Sequence, residues 1–107
     1  MGEKELSSII NKYREDLEKK INIKKIILYG SYAYGKPNKT SDIDLIIVSP
    51  DFKKISPLKR LELLSLIRSE SLDPIEAIGY TPEEFKNYKK SIFLGPAVEK
   101  GKVVFEE

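Results

Sequence analysis

The chain has no cysteine, no histidine and no tryptophan among its 107 residues. Without thiols and imidazoles it can build no disulfide, no Cys or His zinc site, and no Ser-His-Asp or Cys-His nucleophile. Long apolar runs are missing too, and nothing approaches the roughly 20 residues of a membrane span. The opening Met1-Gly2-Glu3-Lys4-Glu5 has no signal-peptide pattern, and Leu6 stands where a myristoylation signal needs Ser or Thr. A cytoplasmic protein with no membrane partner is expected. An excess of one charge is lacking as well: 19 basic and 17 acidic residues leave a net charge of +2. That balance gives no general attraction to nucleic acid, and Lys19-Lys20, Lys24-Lys25 and Lys53-Lys54 read as solvated faces. The length suits one domain, 1–107, with one modest core.

What is present concentrates between Ile26 and Ser49. An apolar run, Ile26 to Tyr29, ends in Gly30-Ser31; a turn rich in Gly, Pro and Asn follows; a second apolar run opens with Asp42-Ile43-Asp44. Side chains alternate faces along a strand, so Asp42 and Asp44 project to one side, about 7 Å apart, and Ile43, Leu45 and Ile47 to the other. Two carboxylates so placed can converge on a cation, and hard oxygen ligands suit magnesium or manganese. Gly30 permits close approach of backbone to a ligand, and Ser31 adds a hydroxyl where a helix can begin. Helix N-termini favour phosphate, so this turn is a candidate triphosphate cradle.

Gly30-Ser31, the ten residues 32–41 and Asp42-Ile43-Asp44 together resemble the signature of the DNA polymerase beta nucleotidyltransferase superfamily. The short chain, with Gly-Ser-Tyr-Ala-Tyr-Gly and Ser-Asp-Ile-Asp-Leu, is most similar to the minimal nucleotidyltransferases (MNT type) of archaea and bacteria. The resemblance implies an α/β (α+β) fold, a small mixed sheet with helices mainly on one face. It also implies a third carboxylate on a later strand, completing a site for two Mg2+ ions, with Mn2+ as the other option. Glu76, between Ile75 and Ala77, is the candidate; Asp73 is its rival, although Pro74 behind it marks a strand entrance. Asp42, Asp44 and Glu76 are thus the expected catalytic and metal-binding residues, and Gly30 and Ser31 the nucleotide-binding ones. The family more often has Asp at the third place. Many relatives carry Arg where this chain has Tyr34, leaving Lys36 or Lys39 as substitutes for that contact.

The activity implied is transfer of a nucleoside monophosphate, AMP from ATP, to an acceptor hydroxyl. Minimal nucleotidyltransferases are often paired with HEPN-domain toxins, some of which they neutralise by attaching AMP to a tyrosine, so a HEPN partner or a second copy would complete the acceptor site. Two other readings stay open: a binding module of the same fold that holds a partner or Mg-nucleotide without turnover, and a polymerase fragment, which the near-neutral charge disfavours.

Elsewhere, Leu6, Ile9, Ile10, Tyr13 and Leu17 predict a helix from Glu3 to about Lys20. The pattern predicts strands over Ile26–Tyr29, Ile43–Val48 and Leu72–Ile78, and a basic loop from Asp51 to Ser56. A helix capped by Ser56-Pro57 should run to about Ser69, with Leu58, Leu61, Leu64 and Ile67 as its buried stripe, broadened by Leu63 and Leu66. The extra leucines, Leu63 and Leu66, pack either within the monomer, the preferred reading, or against a partner. Thr81-Pro82-Glu83-Glu84 has capping-box spacing with Tyr80 stapled to Phe85; Gly95-Pro96 reads as a break before a last turn to Lys100; Val103–Phe105 reads as a short strand.

Overall fold

The computed structural model describes residues 1–37, 41–68 and 73–107. Four strands form one mixed sheet: β1 (Lys25–Tyr29), β2 (Ile43–Val48), β3 (Ile75–Tyr80) and β4 (Lys102–Glu106), in the order β3-β2-β1-β4. β1 runs antiparallel to β2 and β4, while β2 and β3 are parallel. The parallel pair needs a crossover, supplied by α3 (Pro57–Arg68). β2 is central, as its run of Leu45, Ile46, Ile47 and Val48 demands, since both faces are covered.

One face packs against α1 (Glu3–Glu18) and α3, joining Ile26, Leu28, Ile43, Leu45, Ile47 and Ile75 to Ile10, Tyr13, Leu17, Leu64 and Ile67. Tyr13 fastens the two helices by donating its hydroxyl to the Leu64 carbonyl at 2.8 Å. The other face carries Ile27, Ile46 and Val48 under the shorter α5 (Leu94–Lys100) and the end of α4 (Pro82–Lys86). Thr81 and Glu84 form the anticipated capping box, with bonds of 3.1 and 2.8 Å. Among the described residues no helix is long and apolar enough to cross a membrane.

Several expectations need correction. In α3 the buried residues are Arg60, Leu64 and Ile67, and Leu63 packs partly buried against the core as preferred, whereas Leu58, Leu61 and Leu66 are exposed, so the expected buried stripe narrows to Leu64 and Ile67. Arg60 causes the rotation: its guanidinium donates to the carbonyls of Ile55, Gly79 and Phe52 and to Glu84, drawing that side of the helix inward. The basic loop contains a 3-10 turn, Pro50–Lys54, that sinks Phe52 completely into the core. Gly95-Pro96 is not a break, because both lie in the first turn of α5, where Pro needs no helical N–H partner. β3 begins at Ile75; the expected strand start at Leu72, the helix end at Ser69 and the substitute Lys39 lie outside the described residues.

Candidate active site

The site forms where β1 ends and β2 and β3 begin. Gly30 follows β1 with φ +74°, a conformation that side chains avoid, and hands the chain to a single helical turn, α2 (Ser31–Tyr34). A Cβ at Gly30 would stand 3.1 Å from Asp44 Cγ and would overlap its carboxylate oxygen. The glycine therefore lets the turn close directly onto Asp44. Ser31, half-buried, opens α2 beside this contact.

Asp44 lies on β2 opposite Tyr29 of β1 and opposite Glu76 of β3. Partners across a ladder share a face, so Tyr29, Asp44 and Glu76 form a row across three strands, with exposed Asp42 one alternation further out. Burial first, then Glu76, then Asp42 push the Asp44 carboxyl above its usual 3.8. Tyr29 is likewise pushed far up, by burial, then by Asp44 and Glu76, with smaller contributions from Tyr80 and Tyr34, so its phenol keeps its proton. Its ring stands edge-on to Phe93 at 5.5 Å.

The structure thus brings Gly30, Ser31, Asp42, Asp44 and Glu76 to one end of the sheet. Asp73, the rival for the third carboxylate, instead lines a small crevice with Lys12, Tyr13 and Asp16 on the α1 side of the sheet. Tyr34 is half exposed and Lys36 exposed. Tyr29, which the sequence offers only as the end of a strand, joins this row: the β1–β2 register alone reveals that the residue before Gly30 faces Asp44.

Among the described residues no three Asp, Glu, His or Cys side chains are drawn tightly enough to hold a metal as they stand. The donor set nonetheless fits a hard divalent cation in kind. Its ligands are all oxygen, and the mutual repulsion that raises Asp44 is what a cation between the carboxylates would relieve.

A four-stranded mixed sheet with a Gly-Ser turn closing on an acidic strand is the polymerase-beta-like nucleotidyltransferase fold. The nucleotidyltransferase domain family matches residues 10–99, and the chain belongs to that family. It is 39% identical over 59 residues, 55% of its length, to MJ0126 of Methanocaldococcus jannaschii, provisionally named a protein adenylyltransferase, of which the match covers 58%. It is 33% identical over 60 residues to the protein adenylyltransferase MntA of Thermococcus cleftensis, covering 55% of this chain and 58% of that one. The chain thus spans a little over half the length of these curated relatives. Among solved structures it resembles a toxin–antitoxin complex with AMP-PNP, with TM-score 0.65 and 24% identity over 91% of this chain and 73% of the other. It also resembles the complex of a tri-AMPylated HEPN toxin with its MNT antitoxin from Shewanella oneidensis, with TM-score 0.53, 20% identity, and coverage of 94% and 70%. At these identities the structural likeness is one of fold.

Proposed function

We propose that the protein is a cytoplasmic protein adenylyltransferase that moves AMP from ATP to a hydroxyl, a tyrosine of a HEPN-type toxin, and so acts as an antitoxin. The observation that carries this reading is the meeting of Gly30 with the Asp44 carboxylate, which joins a phosphate-binding turn to an acidic cluster. Gly30 and Ser31 hold the terminal phosphates. Asp42 and Asp44, with Glu76 as the third carboxylate, hold Mg2+. When bound, that cation supplies charge neutralisation at the phosphates and lowers the acceptor's pKa. The acceptor oxygen bonds to the α-phosphorus, the bond to the β-bridging oxygen breaks, and pyrophosphate leaves with that electron pair. Glu76, exposed at the rim, takes the acceptor's proton. Names borne by relatives and neighbours support the nucleotide and the HEPN partner.

The test is intact-mass analysis of a HEPN partner incubated with the protein, ATP and Mg2+. The expected result is an added AMP on the partner, reduced by about two orders of magnitude or more with Asp44→Asn. A partner of unchanged mass, with ATP still bound, would establish the second reading, a binding module without turnover. Tyr34 favours that reading, since its exposed phenol offers no cation to the triphosphate.

A further inference from the structure

Beside the acidic row, the segment that leads into α5 leaves two large apolar side chains in solvent. Ile92 is 97% exposed and Phe93 43%, although the helix they precede buries its Leu94 and Ala97. Single apolar residues on a surface are ordinary. These two adjoin the site, because the Phe93 ring stands at 88° to that of Tyr29, with centroids 5.5 Å apart. Tyr29 in turn lies directly opposite Asp44. An edge-to-face pair leaves at least one face of each ring uncovered by the other. Phe93 therefore presents aromatic surface next to the carboxylates.

In-line transfer decides where the nucleoside goes. Pyrophosphate leaves toward Gly30 and Ser31, which follow β1, and the acceptor's proton goes to Glu76 on β3. The line of attack therefore runs across the strands. The oxygen that carries the ribose is equatorial to that line, so the nucleoside leaves it at right angles. Further along this face of the sheet, Ile27 and Ile46 are closed off beneath Leu94 and Ala97 of α5. At the border of that cover the nucleoside meets Phe93 and Ile92. Neither side chain carries a hydrogen-bonding group, and the Ser91 hydroxyl oxygen beside them is turned to the Leu94 amide, from which it accepts at 2.9 Å. A base held there is read by its flat surface and not by its polar edge.

We propose that Phe93, flanked by Ile92, is the platform on which the donor's base stacks, and that it selects purines by ring area without distinguishing adenine from guanine. The proposal rests on the adenylyltransferase reading and deepens it, widening the donor from ATP to purine nucleoside triphosphates. Phe93 is a specificity-determining residue, while Gly30 and Ser31 hold the phosphates whatever the base.

The experiment is calorimetric titration of the parent, Phe93→Ala and Phe93→Leu with the magnesium complexes of tripolyphosphate, ATP, GTP and UTP. The parent should bind ATP and GTP alike, UTP more weakly and tripolyphosphate most weakly. Phe93→Ala should weaken ATP and GTP by about 5- to 150-fold, the range for losing one base–aromatic stack, and leave tripolyphosphate unchanged. Phe93→Leu, which keeps an apolar contact with Tyr29 but has no ring, should fall between. ATP bound no more tightly than tripolyphosphate by the parent, GTP rejected where ATP binds, or ATP affinity unchanged in Phe93→Ala would each overturn the proposal. So would loss of tripolyphosphate along with ATP in both variants, which would make Phe93 a packing residue for Tyr29. In each of these cases the parent still binds tripolyphosphate and the donor reading stands. A parent that binds neither tripolyphosphate nor any nucleotide would overturn the donor reading and the proposal together.

Discussion

At the scale of single residues, Gly30 meets two demands at once. Its φ of +74° with ψ of −156° lies in a region essentially reserved for glycine and costs a residue with a Cβ about 1–3 kcal/mol, and the space a methyl would take is filled by the Asp44 carboxylate. Gly30→Ala should therefore lower the melting temperature and displace Asp44, weakening Mg-ATP binding; thermal unfolding and calorimetry on one preparation check both, and parent-like values in each would contradict the account. Gly30, Ser31, Asp42 and Asp44 were legible in the sequence because their relation is local, set by strand alternation and a short turn. Glu76 and Tyr29 were harder, since their places depend on register between strands, which no spacing within one segment states.

At the scale of elements, Arg60 sets how α3 lies. It is 6% exposed and donates to three backbone carbonyls and to Glu84 at 2.7 Å. Arg60→Ala would leave the Phe52 and Gly79 carbonyls without this buried donor, at about 1–3 kcal/mol by denaturant unfolding. Apolar periodicity gave this helix and its buried Leu64 and Ile67 but misplaced the rest of its inner face, because a leucine ranks above an arginine in any hydrophobicity count, while the carbonyls that draw Arg60 inward lie outside the helix. The same cluster has a pH signature. Partial burial opposes the charge on Glu84, but bonds from the Thr81 amide, Arg60 and the Thr81 hydroxyl outweigh it and hold the carboxyl below its usual 4.5. A lowered carboxyl contributes stability that is fully present above the unfolded value and is lost as pH falls through the folded one. Glu84→Gln should thus be less stable than the parent at neutral pH, with the gap closing below about pH 4; a gap independent of pH would contradict this. Thr81→Ala removes the cap's hydroxyl and should cost about 1 kcal/mol.

At the scale of the molecule, the sheet is a platform whose interior is tight enough to fix the site at its end. Gly79 lies against the buried Phe52 ring, where a Cβ would stand 2.6 Å from Cε2, so Gly79→Ala should cost about 1–3 kcal/mol in thermal unfolding through overpacking. The two-sided burial of β2 was readable from its unbroken apolar run; the strand order was not, because pairing is decided by contacts distant in sequence. What the platform holds together is a glycine turn and an acidic face, and the central claim is that they form one metal-dependent nucleotide site. The most direct test is calorimetric titration with ATP, with and without Mg2+, of the parent and of Asp42→Asn/Asp44→Asn. The account predicts binding by the parent that requires the metal and is lost in a variant that still unfolds cooperatively. Binding that ignores both the metal and the aspartates, or no binding by the parent at millimolar ATP, would contradict it.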